Sequence, residues 1–362
     1  MIFNGTHKAG DLWKYLATQK EKKVVMYGMG NGADKILSVC ERYGIEVCDF
    51  FASDGFVRGH SFHSKTVLSY SAMKEKYGAE NVIVLLSFAS SLQDVLETIY
   101  TVASECELYA PDVPVCGDNL FCEEFYNENK AKFDKVREML ADDESKRIFD
   151  LTVYYKLSGD IKYLREAENE KDEVYLSLLN ARSIKCAVDA GAYNGDTARE
   201  LALYADGLEK VIALEPDRRN FRKLSEYAEG ETRFEVIPIQ KAAWNESCEL
   251  IYDASGNRNA GVNPNGKKTQ NIFADSVDNI KGYDHIDYIK YDVEGSEKQA
   301  LEGSSKTIHS DLPRLLVSAY HRSEDIFELP LMIKAMQPAY KLYLRRYRYV
   351  PAWDLNIIAI PD

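Results

Sequence analysis

Four acids, two glycines and a histidine carry the clearest chemistry in this chain, and each lies at the end of a short apolar run. Asp189 heads the stretch "VDAGAYNGDT" (Val188 to Thr197), which also holds Gly191 and Gly195. Glu215 closes "EKVIALEPD", Asp292 and Glu294 fall within "IDYIKYDVEG", and His321 ends "PRLLVSAYH". Open α/β sheets bind ligands outside the carboxyl ends of their strands, so residues following different strands converge on one edge. Gly191 and Gly195 let the backbone turn sharply and approach a ligand without a Cβ clash. A helix start near Asp196 and Thr197 offers unpaired N–H groups, and Ala192 and Tyr193 belong to the same turn. Glu215, at the end of the following strand, suits both hydroxyls of a ribose. The blander alternative is a tight structural turn beside a solvated acid.

A nucleoside-bearing cofactor is therefore expected, and the first turn separates the candidates. A dinucleotide calls for G-x-G-x-x-G, with pyrophosphate on the helix N-terminus. Here the order is D-x-G-x-x-x-G. An acid placed ahead of the glycines suits an ammonium and repels a pyrophosphate, which favours S-adenosylmethionine over NAD.

The elements that position these residues follow from periodicity. "SIKCAVDAG", "EKVIALEPD", "RFEVIPIQKAAW", "IDYIKYDVEG" and "PRLLVSAYH" read as strands, separated by helical stretches such as "DTARELALYADG" and "RRNFRKLSEYAEG". "EDIFELPLMIKAM" reads as a further helix, with "KLYLRRY" and "LNIIAIP" as closing strands. An earlier βα alternation begins with "KVVMYGMG", "ADKILSVCERYG" and "IEVCDFFASD" and continues through "AENVIVLLSF" and "SLQDVLETIY". Between the two lies a charged, glycine-poor helical segment in which Phe133, Val136 and Leu140 share a face. The expected fold class is α/β, with two Rossmann-like doubly wound domains joined by helices. The boundaries are 1–120 for the first domain, 121–180 for the helical bridge and 181–362 for the second.

These C-terminal stretches resemble a known family. "VDAGAYNGDT", "ALEPD", "IKYDVEGSE" and "SAYHRSEDIFELPLMIKAMQPAYKLYLRRY" look like the FkbM-type S-adenosylmethionine-dependent methyltransferases, from about Ala141 to the C-terminus. The resemblance implies a class I methyltransferase fold and methylation of a hydroxyl, often on a sugar or natural product. It also implies that Asp189, Gly191 and Gly195 line the methionine end, Glu215 the ribose, and Ala242 the adenine. The chain departs from the family in carrying Arg345-Arg346 where Arg-His is frequent, and in closing on "LNIIAI".

A hydroxyl acceptor must lose its proton, and Asp292 and His321 are the candidate catalytic residues. Glu294 shares the Asp292 face if the strand persists that far, and then meets the acceptor. Otherwise it is a helix N-terminal acid ahead of "SEKQALEG". Asp292 with His321 or Glu294 could hold a divalent metal, but oxygen ligands alone do not fix one, and metal dependence is not favoured. Arg345 and Arg346 in "KLYLRRYRY" suit an acceptor phosphate or carboxylate, as on a nucleotide-sugar. Equally, they could form a charged strand face that discourages edge pairing. In the first domain Gly28, Gly30 and Ala33 satisfy G-x-G-x-x-[GA] and Asp54 follows the second strand. That outline fits either a nucleotide site or a scaffold without a cofactor.

Composition bounds the rest. The chain has 362 residues and a net charge of −13, which disfavours nucleic-acid and anionic-membrane partners. "MIFNGTHKAGDLWKYLATQ" has no continuous apolar core of a signal peptide. Seven cysteines without a C-x-x-C pair point to free thiols in the cytoplasm. A homo-oligomer is compatible with this composition. The expected partner is a hydroxylated small molecule, a sugar or nucleotide-sugar. The competing readings are a non-catalytic nucleotide-sugar binding protein and an NAD-linked enzyme using the first domain.

Overall fold

The computed structural model describes residues 10–57, 59–253, 269–280, 282 and 284–362. Residues 1–9 of "MIFNGTHKAGDLWKYLATQ" lie outside these residues. The first sheet is built from β1 (Lys23–Tyr27), β2 (Val47–Ala52), β5 (Leu68–Ser69), β6 (Val82–Leu86) and β7 (Glu107–Tyr109), with a short hairpin of β3 (Ser61–Phe62) and β4 (Lys65–Thr66) beside it. Its order is β5-β2-β1-β6-β7, and every pairing is parallel. Val82 to Leu86 are buried throughout, as a central parallel strand covered on both faces requires.

The second sheet contains β8 (Cys186–Ala190), β9 (Lys210–Leu214), β10 (Glu235–Ile239), β14 (Tyr288–Tyr291), β15 (Arg314–Ser318), β16 (Lys341–Arg346) and β17 (Leu355–Ile360). Its order is β10-β9-β8-β14-β15-β17-β16, with only β17 running against its neighbours. Val188, Ile289 and Leu315 on one face join a core with Phe133, Val136, Phe149 and Ile326, and Ala187, Tyr288 and Leu316 on the other face pack with Tyr175 and Leu201. Helix Asp143–Ser158 serves both sheets, through Phe149 and Val153 on one and Tyr155 on the other.

Two expectations need correction. "RFEVIPIQKAAW" is not one strand: β10 ends at Ile239, and Ala242–Ala243 (β11) joins a separate sheet with β12 (Cys248–Asp253) and β13 (Thr269–Asp275). The chain breaks there because Glu215 N and Lys241 N both take the Ile239 carbonyl, which ends the ladder. The helix after "VDAGAYNGDT" spans only Asp196–Leu201. The segment around Glu173–Leu178 is a π-helical turn. All seven cysteines are free. Among the described residues no helix is long and apolar enough to cross a membrane.

Candidate active site

The sheet order reverses direction between β8 and β14, and the ends of these paired strands define the site. Asp292 N donates to the Ala190 carbonyl at 3.0 Å, drawing the two loops together. Gly191, at φ +92°, makes this approach feasible: a Cβ there would lie 2.0 Å from the Asp292 carbonyl oxygen. Gly195, at φ +84°, lies under the Tyr227 ring, where a Cβ would come within 2.4 Å of a ring carbon. The two glycines are thus required by contacts formed across the fold as well as by the turn.

A cavity of about 580 Å³ opens at these strand ends, within the range of small-molecule sites. Of the residues expected from sequence, Gly191, Tyr193, Asp196, Glu215, Ala242, Asp292 and Glu294 line it. Glu215 is 5% exposed, its two oxygens accepting from Tyr193 N and Asp217 N at 2.8 Å each. Burial pushes its carboxyl up to about 7. Asp217 in turn caps helix Arg218–Gly230. The small sheet contributes Ala242, Ala243 and Tyr252 to the wall.

Asp189, Ala192, Gly195 and Thr197 lie behind this surface. Neither oxygen of Asp189 has a well-formed hydrogen bond, and burial pushes its carboxyl up to about 7. An orphaned carboxylate directly behind a glycine turn is matched by a cationic ligand. Ala192 packs on Ala213 and Leu224. Thr197 Oγ1 accepts from Lys290 Nζ at 2.9 Å. Lys290, which the sequence reading overlooked, also stands 3.4 Å from Asp292 Oδ2. Although burial opposes its charge, Asp292 and Asp189 hold its ammonium above the ordinary lysine range.

At the other end of the cavity Asp292 and Glu294 face Tyr320, Tyr349, Trp353 and Asp354. Glu294 keeps the left-handed conformation at φ +52°, followed by Gly295 at +91°, so the strand has ended before it. The helix N-terminal position belongs instead to Glu297, whose Oε1 accepts from Val293 N at 3.0 Å. Glu297 was missed because a first-turn acid is ordinary in any helix.

His321 is 1% exposed and stands behind the wall formed by Asp292 and Glu294. Its Nε2 is 3.7 Å from Asp292 Oδ1 and 3.5 Å from Glu294 Oε2, and its Nδ1 is 2.9 Å from Glu297 Oε1. Although burial opposes it, Glu297 and Glu294 hold the imidazole well above its ordinary value, which favours its cationic form. Burial works against the Asp292 carboxylate too, yet Lys290 and His321 keep it below its ordinary value. Burial raises Glu294, with His321 pulling the other way.

Asp292, Glu297 and His321 each bring one ligand-type atom within 4.8 Å of the others, the spacing of a metal centre. His321 Nδ1 and Nε2 and Glu297 Oε2 are buried without a well-formed hydrogen bond, while other atoms of the cluster have close neighbours. Tyr320 donates to Asp292 Oδ1 at 3.0 Å, Lys290 neighbours Oδ2, and Glu297 faces Nδ1. The cluster is balanced as an internal ion-pair network.

Arg345 and Arg346 do not reach the cavity, which corrects both sequence readings of them. Arg345 is 2% exposed and clasps Asp142 Oδ2 at 2.7 Å and Glu173 Oε1 at 3.0 Å. Arg346 is fully buried, donating to the carbonyls of Leu164 and Tyr349. They are neither an anion clamp nor an exposed charged face, because the helical segment folds over this edge and supplies Asp142, Glu173 and the Leu164 carbonyl as acceptors. In the first sheet, the Phe88 ring fills the space over Gly28, where a Cβ would come within 2.7 Å. Gly30 holds φ +98° just ahead of helix Asn31–Arg42. Asp54 turns its carboxylate to Ser71, accepting from N at 2.9 Å and Oγ at 2.6 Å.

The comparisons with known proteins agree with this architecture. Residues 189–350 match the family described as the methyltransferase FkbM domain. No curated protein matches the chain. Among solved structures, the methyltransferase FkbM from Methylobacillus flagellatus is 21% identical, covering 94% of this chain and 90% of its own, with a TM-score of 0.69. An rRNA methylase from Streptococcus thermophilus is 15% identical, covering 51% of this chain and 92% of its own, with a TM-score of 0.34. A Streptococcus mutans protein in complex with SAH is 14% identical, covering 50% and 93%, with a TM-score of 0.33. The mixed seven-stranded sheet is typical of class I methyltransferases, and residues 189–350 are similar to the methyltransferase FkbM domain.

Proposed function

We propose that this chain methylates a hydroxyl of a sugar or similar uncharged polyol. The observation that carries this reading is that Asp292 and Glu294 line the same cavity as Tyr349 and Trp353. Aromatic faces cover the C–H faces of a sugar ring, and carboxylates accept hydrogen bonds from its hydroxyls. Arg345 and Arg346 are engaged elsewhere, and three acids (Asp292, Glu294 and Asp354) stand at this end. Lys290 and His321 are already paired with these acids, so no free cation among the described residues at this end is offered to an acceptor phosphate, and an uncharged sugar fits better than the phosphate end of a nucleotide-sugar.

S-adenosylmethionine supplies a methyl group already activated on a sulfonium. Asp189 would balance its ammonium, Gly191 and Tyr193 would admit its amino-acid end, Glu215 would hold its ribose, and Ala242 would flank its adenine. The acidic lining would match a cationic methyl donor better than an uncharged thioether. Glu294, with a raised carboxyl and a place on the wall, is poised to take the acceptor proton; such a base contributes roughly 10²- to 10⁴-fold. Asp292, held ionised by Lys290 and His321, orients the hydroxyl. His321 acts through these two acids and is a positioning residue.

The test is methyl transfer from labelled S-adenosylmethionine to a panel of neutral sugars, glycosides and nucleotide-sugars, read by mass spectrometry. A product methylated on oxygen in the neutral set is expected. Methylation confined to amines, or to phosphate-bearing acceptors, would overturn the reading.

A further inference from the structure

The carboxyl-end edge of the first sheet, where an open α/β domain ordinarily binds its ligand, is occupied by the methyltransferase half. Three segments leave that edge and run toward the acceptor end of the cavity. After β7, the loop to helix Glu123–Met139 places Val115 on the cavity wall. Its neighbour Cys116 donates from N to the His321 carbonyl at 2.9 Å and from Sγ to the Glu294 carbonyl at 3.2 Å. Gly295 sits so close that a Cβ would come within 2.9 Å of Cys116 Sγ. Further along, the Asn119 carbonyl accepts from Ser323 Oγ at 2.6 Å.

After β1, the glycine turn leads into helix Asn31–Arg42, whose Lys35 Nζ donates to the carbonyls of Pro114 and Val115 at 3.0 and 2.7 Å. After β6, Ser90 exchanges both backbone hydrogen bonds with Val350, at 2.9 and 3.0 Å. Val350 lies between Tyr349 and Trp353, two of the aromatic residues on the wall. Everything the first half touches here belongs to the acceptor end. Glu215, Asp217 and Ala242, at the nucleoside end, are reached by none of these contacts.

We infer that the N-terminal half is the specificity element of the methyltransferase: its strand-end loops set the Glu294 turn and the Tyr349–Trp353 wall, and so select the acceptor. The glycine turn at Gly28 and Gly30 then serves to seat Phe88 and aim the helix that carries Lys35. The inference rests on acceptor binding at this end of the cavity, as proposed above.

The experiment uses the full chain carrying Lys35→Met or Ser90→Pro, neither of which lines the cavity, with circular dichroism to confirm folding. Hydrogen–deuterium exchange is expected to rise in peptides covering 292–297 for Lys35→Met and 347–354 for Ser90→Pro, while peptides covering 211–217 stay at wild-type rates. S-adenosylmethionine affinity should stay within about twofold, whereas kcat/KM for the acceptor found in the panel should fall roughly tenfold or more, as expected when positioning alone is loosened. Unchanged exchange in both variants would overturn the inference, as would a loss of S-adenosylmethionine affinity matching the loss for acceptor. Because exchange requires no acceptor, failure of the panel would leave this structural arm intact and count only against the sugar reading.

Discussion

His321 Nδ1 lies 2.9 Å from Glu297 Oε1, and both side chains are 1% exposed. This buried pair braces the cavity wall, because the opposite ring nitrogen faces Asp292 and Glu294. Removing one member of such a pair leaves an uncompensated buried charge, which costs about 3–5 kcal/mol. Glu297→Ala should therefore destabilise the protein by that order in urea unfolding. Glu297→Gln, which keeps an acceptor for Val293 N, should cost less. Equal losses would show that the charge pairing is not what matters.

Glu215→Ala should weaken S-adenosylmethionine binding by at least tenfold by isothermal titration, since hydrogen bonds to a charged acceptor contribute roughly 1.5–3 kcal/mol. Retention of wild-type affinity would remove Glu215 from the ribose role.

Stability should fall as pH rises from about 4 to about 7. Asp189 moves from 3.8 unfolded to about 7 folded, and Glu215 from 4.5 to about 7. In this window the native state holds protons that the unfolded chain has released, so stability declines with pH by up to about 1.4 kcal/mol per unit for each group. Asp189→Asn should flatten that decline, gaining thermal stability at pH 8 relative to wild type and little at pH 5. It should also lose affinity for the cationic methyl donor. An unchanged slope would show that Asp189 is not the titrating group.

Gly191→Ala should cost more than an ordinary Gly→Ala change, because its Cβ would stand 2.0 Å from the Asp292 carbonyl at φ +92°. A loss above about 2 kcal/mol, with cofactor binding abolished, is expected from such strain. A variant with native melting temperature and affinity would contradict this packing.

Arg345→Ala should destabilise the fold by about 1.5–3 kcal/mol, through lost charge-assisted hydrogen bonds to Asp142 and Glu173, whose carboxylates keep partial access to water. Its folded fraction should bind S-adenosylmethionine normally and show an unchanged acceptor KM. A raised KM at native stability would restore Arg345 to the acceptor site.

What the sequence determined by itself was local. Apolar runs ending in Asp189, Glu215 and Asp292 read as strands because burial on both faces of a parallel sheet leaves that signature, and the topology then gathers their ends. Acid-before-glycine at Asp189 likewise needs only neighbouring residues to suggest a cationic ligand. Tertiary structure decided what depends on partners far along the chain. Arg345 looks like an anion clamp until Asp142 and Glu173, in the helical segment, close on it. Glu297 looks like any first-turn acid until His321 arrives from the next strand. The turn at Gly28 looks like a nucleotide cradle until Phe88 packs over it. Side-chain type and spacing record what a residue can do, but its charge, burial and access are set by neighbours that only the folded chain brings within a few ångströms.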